Sequence, residues 1–382
     1  MIYFDNAATS FPKPREVIAE VSRCMRFYCG NPGRGSHALA MAAAERIFEC
    51  RTRVAAMFGS SHPENVIFTA NTTHGLNIAV KGLLRPGDHV LLSDMEHNAV
   101  YRPIYRLAEE GLITYDIFPT MINDSRCSPV RICAGIARLV KPNTKMLICA
   151  HASNLCSYTL PLEELGSFCR KRGILFVVDA AQSAGRTPIS AEQMGIDALC
   201  APGHKGLWGP QGSGFLLLRE GLVADTLTEG GSGMRSLEGS MPESAPERYE
   251  AGTLATPAIV GLSEGIRILN QIGMEAVAKK EAALVARLRE RLSDLPGVTL
   301  YAPQYEGGIL LFNIDGIPAE NVGNALNRMG FCVRSGYHCA ALGHRTLETP
   351  EGGAVRVSPG WFNTPRQINA LADAIREIRR QP

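Results

Sequence analysis

A lysine and an aspartate set the terms of this sequence. Lys205 sits in the glycine-rich run Ala201-Pro202-Gly203-His204-Lys205-Gly206-Leu207-Trp208-Gly209, and one crossover upstream runs Ile174-Leu175-Phe176-Val177-Val178-Asp179-Ala180-Ala181-Gln182. The apolar stretch predicts a buried parallel strand, and an acid at the carboxyl end of such a strand lies where open α/β sheets bind ligands. An amine and a carboxylate brought together there point to pyridoxal phosphate. Asp179 would keep the pyridine nitrogen protonated, so that the ring accepts electrons released at a substrate's α-carbon, and Lys205 would hold the cofactor as a Schiff base. Gln182 is placed to hydrogen-bond the same ring, and His204 adjoins the lysine. Taken singly, each half has a plain alternative: a surface lysine in a flexible loop, or a core strand that happens to end in Asp.

A phosphate-bearing cofactor also needs donors. In Phe68-Thr69-Ala70-Asn71-Thr72-Thr73-His74-Gly75 an apolar strand ends in hydroxyls and passes into a helical pattern. That layout aims backbone N–H groups and hydroxyls at an anion, although an ordinary threonine N-cap has the same spelling. Arg356 lies in Ala354-Val355-Arg356-Val357-Ser358, a short and otherwise apolar strand. An arginine facing inward there needs an anion, either a substrate carboxylate held by two parallel hydrogen bonds or a structural acid. Cys339 stands in Arg334-Ser335-Gly336-Tyr337-His338-Cys339-Ala340, a polar setting unlike that of Cys149 in Met146-Leu147-Ile148-Cys149-Ala150, which reads as core filler. A free thiol has a pKa of about 8.5, so a nucleophilic Cys339 needs cations nearby. Arg334, His338 and His344 are the neighbours in sequence that could supply them.

Positioning these groups takes two kinds of element. From residue 15 to 256 strand and helix alternate, which predicts an α/β large domain around a mainly parallel mixed sheet. Its clearest strands are Val66 to Thr69, His89 to Ser93, Met146 to Ala150, Leu175 to Asp179 and Gly214 to Leu218, with helices over Val130 to Val140 and Leu162 to Arg172. Past Pro257 the pattern changes. A helix with Leu284, Leu288, Leu292 and Leu295 on one face ends at Pro296-Gly297, and short strands follow at Thr299 to Tyr301, Ile309 to Ile314, Cys332 to Arg334 and Val355 to Val357. With helices near Glu320 to Met329 and Arg366 to Arg379, residues 257–382 predict a small α+β domain. The glycine-rich stretch 229–243 is either a surface loop or a cover for the site.

Composition narrows the partners. Lys plus Arg number 39 against 37 for Asp plus Glu, so neither nucleic acid nor an anionic membrane is expected as a partner. No apolar stretch approaches the roughly 20 residues a membrane helix needs, and the first residues lack a basic and an apolar leader region. Eleven cysteines, an odd count with no Cys-x-x-Cys pair, are expected as reduced thiols in a cytoplasmic protein without a metal site.

The order and content of these segments resemble the class V aminotransferase-fold enzymes, specifically the cysteine desulfurase and selenocysteine lyase family, over nearly the whole chain. The resemblance implies a fold-type I, pyridoxal-phosphate-dependent transferase, with residues 1–14 packed beside the small domain. It matches Thr72, Thr73 and His204 to phosphate ligands, and His97, in Ser93-Asp94-Met95-Glu96-His97-Asn98, to an imidazole stacked on the pyridine. Asn154, in His151-Ala152-Ser153-Asn154-Leu155, matches a residue near the phenolic oxygen. Asn6, Ala7 and Ala8 match a substrate-site segment, Arg356 matches the carboxylate clamp, and Arg334 is expected in the same substrate-binding set. Thr256 matches a hydroxyl that reaches the neighbouring subunit's phosphate, and Arg34 and His37 match residues at a dimer's active-site mouth. The Cys339 segment is similar to the catalytic-cysteine loop of the family's group II desulfurases.

Two departures stand out. Pro202 replaces a Ser or Thr and so removes a phosphate contact, and Cys156-Ser157-Tyr158 stands where smaller residues are usual, which brings a second thiol into consideration. The activity implied converts L-cysteine to L-alanine with a persulfide on Cys339, in a homodimer that passes sulfur to an acceptor protein. Lys205, Cys339 and His97 would be catalytic. Selenocysteine lyase action on L-selenocysteine, ordinary transamination, and an inactive cofactor-binding sulfur carrier or assembly partner are the alternatives.

Overall fold

The computed structural model describes residues 1–33, 37–124 and 126–380. A seven-stranded sheet runs in the order Val66–Thr69, Gly214–Leu218, Ala198–Pro202, Leu175–Asp179, Thr144–Ala150, His89–Ser93 and Thr114–Phe118. Its neighbours are parallel except for Gly214–Leu218, which is antiparallel to both of its partners. Apolar runs without alternation follow from burial on both faces. Phe176 and Val178 join one hydrophobic cluster while Val177, between them, joins the other. Sequence periodicity missed Ala198–Pro202 and Thr114–Phe118, the first because glycine and proline crowd its end, the second because it is a half-exposed edge strand.

A second sheet, antiparallel throughout, has the order Arg334–Gly336, Ala354–Val357, Leu310–Ile314, Val298–Tyr301. The N-terminal strand Ile2–Tyr3 pairs in parallel with Phe331–Cys332, and Asp5 bridges to Ser358, so the first residues pack beside this sheet. The strand expected over Cys332 to Arg334 is therefore two. Phe331–Cys332 serves the N-terminus, Arg334–Gly336 serves the four-stranded sheet, and Val333 is the step between them.

The expected break after residue 256 also moves. Pro257 is not a linker but a residue of the first turn of the helix Thr256–Ile272, where its missing N–H costs nothing. Ile259, Leu262, Ile266 and Leu269 of that helix bury themselves in the large sheet's cluster, while Leu284 and Leu288 of the next helix join the small sheet's. Packing thus changes over near Gly273.

Candidate active site

The parallel strands end on one edge, and there Ala150, Asp179 and Pro202 line a cavity of ≈ 220 Å³ together with Lys205, His97 and Arg356. Asp179 is buried, and the Ala181 N–H donates to its Oδ1 at 2.8 Å. Burial raises its carboxyl pKa, opposed by that hydrogen bond and by the Lys205 charge. Loss of solvent lowers the Lys205 amine to about 8, helped by Arg356, Arg186 and Arg334 and opposed by Asp179. An amine in that range can exchange a proton near neutral pH. The turn before it is strapped down by the N-terminus, because the His204 carbonyl accepts from Ser10 N at 2.9 Å, Thr9 Oγ1 at 3.0 Å and Lys13 Nζ at 2.9 Å. Gln182 ties the same segment to the sheet edge by donating to the Ala7 carbonyl at 2.9 Å.

The threonine pair is not a cap. Asn71 caps the helix Thr72–Leu83, its Oδ1 accepting from His74 N at 3.0 Å. Gly214 lets the sheet come this close, since a Cβ there would lie 2.9 Å from Asn71 Cα. Thr72 and Thr73 therefore bring their hydroxyls and first-turn N–H groups to the cavity. Thr72 Oγ1 and His204 Nδ1 are buried with no hydrogen-bond partner among the described residues. Burial, with Lys205 beside it, lowers the His204 imidazole to about 4, so it meets an anion as a neutral donor. Thr72 in the first turn of a helix and His204 beside Lys205 line the same cavity as Asp179, a donor set that fits pyridoxal phosphate. Pro202, the last residue of its strand, lines the cavity without a donor, as Thr72 lines it with a hydroxyl.

His97 is the N-cap of the helix Asn98–Glu109, with Nδ1 accepting from Ala99 N at 3.0 Å. That bond puts the ring proton on Nε2. Burial and then Lys205 lower the imidazole to about 4, so it is neutral. Glu96, open in sequence to being an exposed residue, is fully buried, and its carboxyl oxygens lie 2.9 and 3.1 Å from the Ala150 N–H and within hydrogen-bond reach of the Ser93 hydroxyl.

Arg356, only 2 % exposed, has an anion that sequence did not reveal. Its Nη2 donates to Asp5 Oδ1 at 2.7 Å and its Nη1 to the Asn154 carbonyl at 2.9 Å. Arg334 Nε lies 3.5 Å from Asp5 Oδ2. The Arg356 Nε is buried without a partner among the described residues, and Arg356 lines the cavity; Nε–H with an adjacent Nη–H is the edge a carboxylate takes bidentately. Asn154 also lines the cavity and donates through Nδ2 to the His338 carbonyl at 2.8 Å.

Cys339 is exposed, next to the cavity-lining His338, and its carbonyl accepts from Asn98 N at 2.7 Å, one residue past His97. The expectation that His338 and His344 supply positive charge is overturned. Burial lowers their imidazoles to about 3 and about 4, and both are neutral. Arg334 remains as a cation of that segment.

Other expected residues lie elsewhere. Ala7 and Ala8 line the cavity, but Asn6 does not, since its side chain is spent on the Ser358 carbonyl at 3.0 Å and the Phe11 N–H at 3.2 Å. Thr256 is 2 % exposed and away from the cavity, and that burial leaves little surface for contact with a second copy. Arg34 lies outside the described residues, while His37 caps the helix Ala38–Met57. Cys156 lines a neighbouring cavity of ≈ 320 Å³, where burial pushes its thiol up to about 11, so it is no thiolate at the cofactor site.

A mainly parallel sheet with an amine, a carboxylate and an anion-binding helix N-terminus on its C-terminal edge defines the fold-type I class of pyridoxal-phosphate enzymes. Residues 2–371 match the family described as Aminotransferase class-V, and the chain belongs to that family. Among curated relatives, a probable cysteine desulfurase of Methanothermobacter thermautotrophicus is 33% identical, over 99% of this chain and 94% of its own length. A cysteine desulfurase of Escherichia coli is 28% identical over 100% of this chain and 94% of its own. Among solved structures, the apo cysteine desulfurase of Thermococcus onnurineus superposes with a TM-score of 0.88 at 30% identity, covering 99% of this chain and 94% of that one.

Proposed function

We propose that this chain is a pyridoxal-phosphate-dependent cysteine desulfurase, which takes sulfur from L-cysteine, releases L-alanine and leaves a persulfide on Cys339. One observation carries the reading: Lys205, Asp179 and Arg356 line one cavity, with an exposed cysteine next in sequence to its lining residue His338. The names of the relatives support it. When bound, pyridoxal phosphate supplies an aldehyde for the substrate amine and a ring that draws electrons from bonds at the α-carbon.

The residues divide the remaining work. Thr72, Thr73 and His204 bind phosphate, Asp179 holds the proton on the ring nitrogen, and His97, Asn154 and Gln182 orient the ring. Arg356, with Arg334 near it, grips the substrate carboxylate. Lys205 Nζ, freed when the substrate amine takes its place, moves the proton of the substrate α-carbon. The Cys339 thiolate attacks the substrate Sγ, so that an S–S bond forms and the Cβ–Sγ bond breaks. The electron pair of the broken bond, with a proton, completes the methyl group of alanine. L-cysteine plus thiol thereby gives L-alanine plus persulfide, with no outside oxidant or reductant.

The same reading makes residues 15 to about 272 the cofactor-binding unit and assigns the N-terminal strap and the C-terminal part to the unit that bears Cys339. It includes a homodimer, supported by exposed Ile18, Met25, Phe27, Leu39, Met41 and Phe48 on the first two helices. An acceptor protein collects the persulfide. All eleven cysteines are free, which supports a reducing compartment such as the cytoplasm. No helix among the described residues is long and apolar enough to cross a membrane.

The test is alanine release from L-cysteine and from L-selenocysteine by the wild type and by Cys339→Ala, together with the visible spectrum before and after borohydride. Expected are a coloured, borohydride-sensitive protein and loss of cysteine turnover in Cys339→Ala. Turnover of selenocysteine alone by both proteins would make it a selenocysteine lyase, and a protein that stays colourless after reconstitution would sink both.

A further inference from the structure

His338 and Cys339 are consecutive non-glycine residues in the left-handed region, at φ 51° and 55°. L-residues hold that conformation only where neighbours enforce it. Two of the enforcing bonds come from the large-sheet side, from Asn154 Nδ2 to the His338 carbonyl and from Asn98 N to the Cys339 carbonyl. The Ala340 N–H closes the turn on the Tyr337 carbonyl at 2.9 Å, and further bonds come through the His338 ring. Its Nε2 lies 3.2 Å from the Arg334 carbonyl, its Nδ1 lies 3.2 Å from His344 Nε2, and His344 Nδ1 lies 2.8 Å from Thr349 Oγ1. The two imidazole planes differ by only 11° with ring centroids 5.4 Å apart, which fits an edge-to-edge contact through these nitrogens.

The direction of this chain follows from its end. A carbonyl only accepts, so His338 carries its proton on Nε2 and offers Nδ1 as an acceptor. His344 must then donate from Nε2 and accept at Nδ1 from the Thr349 hydroxyl. Each link fixes one tautomer, and each ring is buried against exchange with water.

We propose that His344 and Thr349 are positioning residues for the Cys339 thiol, acting through His338 to hold the left-handed turn that keeps the thiol beside the cavity. Neither is among the residues that line the cavity. The proposal rests on the desulfurase reading for its catalytic consequence, because a sulfur transfer depends on where the thiol sits, whereas the carboxylate grip depends on Arg356. Loss of the chain should therefore lower kcat and leave KM alone.

The test compares His344→Phe, His344→Gln and Thr349→Val in the holoenzyme, with alanine release giving kcat and KM for L-cysteine. His344→Phe keeps a buried ring but no donor and should lose about 10-fold to 100-fold in kcat with KM within about threefold. His344→Gln retains a donor at the Nε2 position and should recover most of that loss, and Thr349→Val should fall between. A second readout needs no turnover: iodoacetamide labelling of Cys339 in cofactor-free protein, followed by peptide mass, should change rate by about fivefold or more in His344→Phe and stay near wild type in His344→Gln. Wild-type kcat and labelling rate in His344→Phe would overturn the proposal, as would a folded His344→Gln that is no better than His344→Phe. If wild-type protein forms no alanine, the desulfurase reading fails by itself and the labelling comparison still decides the chain.

Discussion

Replacing Arg356 by lysine asks how much of the site's recognition lies in the shape of a guanidinium rather than in its charge. In the wild type Nη2 serves Asp5 at 2.7 Å, Nη1 serves the Asn154 carbonyl at 2.9 Å, and Nε has no partner among the described residues. A guanidinium can therefore keep both protein partners and still offer a substrate carboxylate two parallel donors, Nε–H and the second Nη2–H. A lysine ammonium has three protons, and Asp5 and Asn154 compete for two of them. The substrate keeps at most one charge-assisted bond where it had two. Such a bond contributes about 1.5–3 kcal/mol, so Arg356→Lys should lose about 10-fold to 100-fold in kcat/KM for L-cysteine, mostly through KM. Cysteamine, which is L-cysteine without its carboxylate, supplies the control. Its much weaker turnover should be the same in wild type and variant within about threefold, so the loss appears as coupling between side chain and carboxylate. The assay is amine-product formation against substrate concentration, with thermal melting to show that both proteins are folded. Equal losses on L-cysteine and cysteamine would mean that Arg356 acts through structure alone, and an unchanged KM for L-cysteine would remove it from the substrate site.

Two further outcomes follow from buried polar groups. Thr72→Val deletes an unpartnered buried hydroxyl, so cofactor-free protein should be no less stable, while affinity for pyridoxal phosphate, read by titration of the apo protein, should fall about tenfold; unchanged affinity would take Thr72 out of the phosphate site. Burial pushes the Glu96 carboxyl up to about 8, so near neutral pH the native chain keeps a proton that the unfolded chain has lost. Its contribution is present in full below the ordinary carboxylate pKa of about 4.3 and is lost as pH rises towards 8, whereas Glu96→Gln stays neutral throughout. Urea midpoints at low, neutral and mildly alkaline pH should show the variant gaining on the wild type as pH rises, and parallel slopes would contradict the assignment.

Sequence alone settled what local pattern can settle. A continuous apolar strand must be buried on both faces, so Asp179 at its end had to stand at the sheet's ligand-binding edge, and Lys205 in a glycine-rich turn one crossover later was legible as its partner. Arg356 in an apolar strand announced a buried cation needing an anion, and two threonines after a strand pointed to the cavity that they line. What local pattern cannot carry is the identity of partners distant in the chain, or a charge state that depends on burial. Asp5 meets Arg356 across 351 positions, and Asn154 meets the His338 carbonyl across 184. Histidines beside Cys339 read as cations until packing removed their water and made them links in a hydrogen-bonded chain. Pro257 looked like a boundary because proline breaks patterns, yet it opens a helix whose apolar face belongs to the large sheet. Residue type and spacing fix which groups are present and which elements carry them. Only the packed chain decides which of them meet, and how much solvent is left to set their protons.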